Sequence, residues 1–131
     1  MTAGRAFSIF ISSLLLVGCS DARARAKDAL KRVDKKQLRK DAATFYKNIF
    51  AEHRKTITTV NPQYWSRAFS QLRPLRITAY PDGFAFCLEA AGDSESGLYI
   101  VPLGMELEPK ATRWATFEKL SEGIYSYSFK P

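Results

Sequence analysis

From Leu38 the apolar positions fall at Leu38, Ala42, Phe45 and Ile49, with Tyr46 and Phe50 beside them. Steps of four, three and four mark one face of an amphipathic helix laid on a core. Asn61-Pro62 is a helix-start signal, because Asn caps and Pro suits the first turn. Tyr64, Trp65, Ala68, Phe69 and Leu72 then recur at helical spacing, and Arg73-Pro74 ends the run. Beyond Pro74 the period changes to two. Segments 75–80 and 84–90 flank Pro81-Asp82-Gly83 and predict a hairpin. Phe84, Phe86 and Leu88 alternate with Ala85, Cys87 and Glu89. Residues 92–96 read as a polar loop, 97–103 as a third strand and 104–112 as a second loop. Segments 113–120 and 124–129 flank Ser121-Glu122-Gly123 and predict a second hairpin. Tyr125, Tyr127 and Phe129 share one face of the last strand, with Ile124, Ser126 and Ser128 on the other. The expected fold is α+β: two helices on an antiparallel sheet of about five strands, with strand order open.

Charge divides the chain. Residues 21–55 carry 12 Lys and Arg against 5 Asp and Glu, and residues 56–131 carry 7 against 8. The basic segment contains no Gly or Pro and is rich in Ala, Leu, Lys and Arg, all good helix formers. Its first part, to Lys36, is apolar mainly through Ala, with Leu30 and Val33. It is read as a solvated, partly helical arm that precedes the docked helix. Arg23, Arg25, Lys27, Lys31, Arg32, Lys35 and Lys36 then lie where they can meet anionic lipid headgroups, each adding about 1 kcal/mol near such a surface. A plain charged helix kept soluble by its charges is the compatible alternative. Nucleic acid is not an expected partner, because the aromatic interleaving of single-strand binders is missing from the arm.

The N-terminus supplies the most specific signal. Arg5 precedes an apolar run of about a dozen residues, Ala6 to Val17, as in a secretory signal. The run is too short for a comfortable membrane span of roughly 20 residues. It closes on Leu16-Val17-Gly18-Cys19, which resembles the lipobox of bacterial lipoproteins. That resemblance implies a diacylglyceryl group on the Cys19 sulfur and cleavage between Gly18 and Cys19. The mature chain would begin at the lipidated Cys19, with more than one acyl chain for stable anchoring. In that family Asp directly after the Cys favours inner-membrane retention. Ser20 stands there and Asp21 follows, so the resemblance implies the outer membrane, facing the periplasm. The expected organisation is a signal peptide over 1–18, a lipid-anchored arm over 19–37 and one domain over 38–131.

Catalytic signals are sparse. The chain has one histidine, His53, and once Cys19 is lipidated one cysteine, Cys87. These supply neither an intramolecular disulfide nor the three or four ligands of a zinc site. Cys87 reads as a small buried thiol. Glu89, Asp93 and Glu95 cluster around one loop, and Glu106 and Glu108 on another, the arrangement to examine for carboxylate chemistry. No phosphate loop, nucleophile elbow, calcium loop, internal repeat or low-complexity tract is present. No metal or cofactor is implied. Tyr99, Trp114, Tyr125 and Tyr127, with Arg76 and Arg113 on the same elements, are either partner-binding residues or core filling. The sequence thus points to a non-enzymatic lipoprotein that binds a protein or peptidoglycan. An immunity or inhibitor lipoprotein acting on a toxin or wall hydrolase, and an envelope enzyme using the loop carboxylates, stand as alternatives.

Overall fold

The computed structural model describes residues 22–53 and 57–131, with backbone alone for 51–53. The lipobox residues, including Gly18 and Cys19, and the side chain of His53 lie outside the described residues. The elements run α1 (22–30), α2 (Lys35–His53), β1 (Thr58–Thr59), a 3-10 turn (Pro62–Tyr64), α3 (Arg67–Gln71), β2 (Arg76–Tyr80), β3 (Gly83–Ala91), β4 (Ser94–Ile100), β5 (Ala115–Ser121) and β6 (Ile124–Phe129). The fold is α+β, as the sequence indicates. Three helices pack on a six-stranded antiparallel sheet of order β1-β2-β3-β4-β6-β5. The extra strand is β1, a two-residue edge pairing Thr58 with Ala79 and Thr59 with Thr78. It is too short to leave a period in the sequence.

Each helix has a local cause. Asp34 Oδ1 accepts the backbone N–H groups of Lys36 and Gln37 at 2.9 and 3.1 Å, so α2 starts at Lys35, ahead of the first large apolar residue. Asn61 caps as expected, but what it starts is the 3-10 turn. Ser66 caps α3 by accepting the Phe69 N–H at 3.2 Å.

Register sorts the sheet into two faces. On the helix face one cross-strand row reads Ala79, Phe84, Ile100 and Ile124, and the next reads Ile77, Phe86, Leu98, Ser126 and Glu118. Their apolar members meet Leu38, Ala42 and Ile49 of α2 and Ala68 and Phe69 of α3, all buried. The Phe45 ring lies edge-on to Phe69 and Phe84, each at 6.1 Å between centroids. Arg39 fastens α2 to the end of β4: its Nε and Nη2 donate to the carbonyls of Val101 and Pro102 at 2.9 and 3.3 Å.

The opposite face carries a second cluster: Tyr99, Tyr125 and Tyr127, with Tyr80, Phe117 and Phe129 packed against them. Tyr80 on β2 lies 6.2 Å from Phe129 on β6 between centroids, although β3 and β4 separate those strands. The sheet therefore curves around its aromatic face. Two features permit this: the β3 bulge between Cys87 and Glu89, and Gly97 beside it on β4. A Cβ on Gly97 would stand 2.0 Å from the Phe86 carbonyl oxygen. The expected polar loop at 92–96 is instead a tight turn at Gly92, φ 60°, with Ser94 to Ser96 already in β4.

Two expectations are corrected here. Residues 22–30 are not a solvated arm: α1 buries Ala26, Ala29 and Leu30 in the helix-face core, and Arg23 and Arg25 pair with Glu118 and Glu89 at 2.6 and 2.5 Å. The folded domain therefore reaches back at least to α1 and does not begin at residue 38. Side chains in both pairs are about half exposed, so each contributes 1 kcal/mol or less by the order of magnitude of surface pairs. Burial of Leu30 alone is worth about 1.5–3 kcal/mol, and apolar contact decides the docking. The second correction concerns Tyr99, Tyr125 and Tyr127, which are buried at 3, 7 and 3% exposure and fill the core.

Leu30→Ala is expected to destabilise the protein by about 2–4 kcal/mol in denaturant unfolding, where a solvated arm would give no change. Gly97→Ala is expected to cost about 3 kcal/mol or more, since β3 backbone must move. Gly92→Ala, with no atom within 4 Å of the added carbon, carries only the left-handed backbone penalty of about 1–2 kcal/mol.

Candidate functional site

Past the two apolar rows the helix face changes character. The next row reads Glu89, Ser96, Ser128 and Thr116, and Ser94 follows on β4. Among the described residues no helix covers this end. The row forms the floor of an open cleft of about 870 Å³. The first turn of α1, Ala22 and Arg23, lines one side, and Arg113, Trp114 and Lys130 line another. Trp114 is 53% exposed, and the Arg113 guanidinium carbon sits 4.9 Å from the centre of its ring. The Lys130 N–H donates to the Trp114 carbonyl at 2.8 Å, which fixes the two residues beside one another.

A polar network borders the cleft through Glu95 and Tyr127. Glu95 is mostly buried and accepts from Tyr127 Oη at 2.6 Å and from Arg76 Nη2 at 2.8 Å. The hydrogen bond that Arg76 donates to Glu95, and then the Glu95 charge, hold the guanidinium above its usual pKa. Tyr99 Oη donates to Asp82 in a second short contact. Burial, then the hydrogen bond to a carboxylate, then that carboxylate's charge push both Tyr99 and Tyr127 far above the usual phenol range. Burial comes first again for the Cys87 thiol, which is raised, fully buried, and donates to the Glu89 carbonyl at 3.4 Å. A raised, inaccessible thiol is a poor nucleophile.

Of the acids singled out in the sequence, Glu89 and Glu95 both line the cleft, but each is already engaged. Glu95 holds the tyrosine network, Glu89 pairs with Arg25, and Asp93, Glu106 and Glu108 are exposed. No group of three or more His, Cys, Asp or Glu among the described residues could hold a metal ion. Of the six aromatic and arginine candidates, Arg76, Arg113 and Trp114 reach the surface, and Arg113, Trp114 and the buried Tyr127 line the cleft. Of the basic candidates, Arg23 and Arg25 are held by acids on the sheet, while Lys27, Lys31, Arg32, Lys35 and Lys36 are exposed, Lys31 beside Asp28 at 3.5 Å. The hydroxyl row was not identified as a site from sequence. Its signal was the placing of Ser126 and Ser128 on the Ile124 side of β6, the side that faces the helices.

The tyrosines set an alkaline limit. A phenol whose folded pKa is raised contributes stability that is fully present below its unfolded value, near pH 10, and is lost as pH climbs beyond that. Unfolding free energy is therefore expected to fall steadily above about pH 10, with phenolate absorbance of Tyr99 and Tyr127 appearing only as the protein unfolds. Tyr127→Phe should flatten part of that fall; an unchanged slope would show that Tyr127 is not held in this way.

Comparison of the chain with protein-family models, with curated proteins and with solved structures finds no match.

Proposed function

We propose that this chain is a bacterial lipoprotein, anchored through Cys19, whose domain binds an envelope partner and catalyses no reaction. The lipobox-like segment supports the anchor. What carries the binding reading is the contrast between the cleft and the titratable groups around it. Glu95, Asp82, Glu89 and Glu118 are each engaged with a Tyr or Arg of the domain's own scaffold. Beside these engaged acids and Arg23, the cleft presents hydroxyls, a half-exposed indole and the cations Arg113 and Lys130, groups that recognise a ligand without transforming it. Among the described residues no helix is long and apolar enough to cross a membrane. Protein, peptidoglycan and the bilayer surface itself are the partners within reach of such an anchor.

Metabolic labelling with a clickable palmitate analogue is expected to mark the wild type and leave Cys19→Ser unmarked; equal labelling of both would remove Cys19 as the anchor. Separately, the Cys19→Ser form, offered peptidoglycan, envelope protein extract and anionic vesicles in turn, should lose its retained partner about tenfold or more on Trp114→Ala. Unchanged retention would take the binding role away from the cleft.

A further inference from the structure

This inference rests on the lipid-anchor reading and asks which surface that anchor would turn toward the bilayer. The described chain begins at Ala22, on the wall of the cleft. Cys19 is three residues earlier, a tether of at most about 10 Å. A free arm over residues 19–37 would have let the domain stand roughly 60 Å away. The docking of α1 through Ala26, Ala29 and Leu30 removes that freedom. The surface around Ala22 is therefore the one that a lipidated Cys19 draws down.

The chemistry of that surface suits the position. An exposed indole beside cations is the side-chain set found at membrane interfaces, where the ring sits at headgroup depth and the charges meet phosphates. Trp114 is 53% exposed, Arg113 stacks on its ring, and Lys130 is hydrogen-bonded to its backbone. Neither cation has an acidic partner among the described residues, whereas Arg23 and Arg25 are engaged with Glu118 and Glu89. We infer that the cleft end of the sheet is the membrane-facing surface, with Trp114 in the headgroup layer and Arg113 and Lys130 against anionic lipid phosphates. The hydroxyl row of Ser96, Ser128 and Thr116 then opens onto that layer and offers hydrogen bonds to headgroup oxygens.

The chain has two tryptophans, and Trp65→Phe leaves Trp114 as sole reporter. In the full lipidated protein on vesicles of phosphatidylethanolamine and phosphatidylglycerol, Trp114 emission is expected to shift to the blue. It should be quenched by brominated acyl chains and shielded from iodide. Should Trp65→Phe fold poorly, the difference between wild type and Trp114→Phe gives the same reading. In the Cys19→Ser form, Arg113→Ala and Lys130→Ala should each weaken binding to these vesicles about fivefold. Lys35→Ala with Lys36→Ala, beyond the far end of α1, should leave it within twofold. Anchored protein whose Trp114 stays open to iodide and unquenched by brominated lipid would overturn the orientation alone. Loss of binding on Lys35 and Lys36 substitution but not on Arg113 and Lys130 would do the same. Wild type that is not lipidated would remove the anchor, and the orientation with it. Retention on peptidoglycan with no vesicle effect of Trp114 would assign the cleft to the wall instead.

Discussion

A sheet with apolar side chains on both faces has to be covered twice, and this requirement shapes the molecule. Along β4 and β6, Leu98, Ile100 and Ile124 point to one side while Tyr99, Tyr125 and Tyr127 point to the other. Helices cover the first side. Among the described residues no helix lies on the second side, and the sheet curves around its own aromatic rings, aided by the β3 bulge and by Gly97. Tyrosines placed in such a hollow must keep their hydroxyls bonded, since an unsatisfied buried hydroxyl costs about 1–3 kcal/mol. Asp82 and Glu95 accept those bonds, and Arg76 balances Glu95. The acids closest to the cleft thus belong to the fold before they belong to any chemistry.

The same requirement explains α1. The helix-face core extends farther along the strands than α2 and α3 cover, and Ala26, Ala29 and Leu30 complete it. Where α1 begins, the strands change from Leu and Ile to Ser and Thr, so the uncovered end is wettable and stays open as the cleft. One transition in side-chain type along three strands therefore sets where the helical layer stops and where the candidate site starts.

Much of this was legible. Period-two alternation and the turns at Pro81-Asp82-Gly83 and Ser121-Glu122-Gly123 placed β2, β3, β5 and β6 to within two or three residues. The α2 stripe was equally plain, although its start was set by Asp34 rather than by the first Leu. Burial of α1 was hidden because its contact surface is mostly alanine, which carries little hydrophobic signal yet packs closely under a sheet. The strand aromatics were left open between partner binding and core filling for a different reason. A period of two separates the faces of a strand but does not say which face curves inward, and the structure puts Tyr99, Tyr125 and Tyr127 in the core. Trp114 and Arg113, on the same grounds, are exposed. The cleft floor escaped because Ser96, Ser128 and Thr116 are distant in sequence and meet only through the β4-β6-β5 order, where β6 inserts between its neighbours.

That α1 is part of the folded core is the claim on which domain extent, tether length and the orientation of the cleft all depend. Native-state amide hydrogen exchange tests it most directly. The last amides of α1 and the one closing its final turn, Lys31 N–H to the Lys27 carbonyl, should be protected and should exchange through the same cooperative opening as β4 and β6. Exchange of those amides at the rate of an unstructured peptide, while β4 stays protected, would return residues 22–34 to the solvated arm and detach the cleft from the anchor.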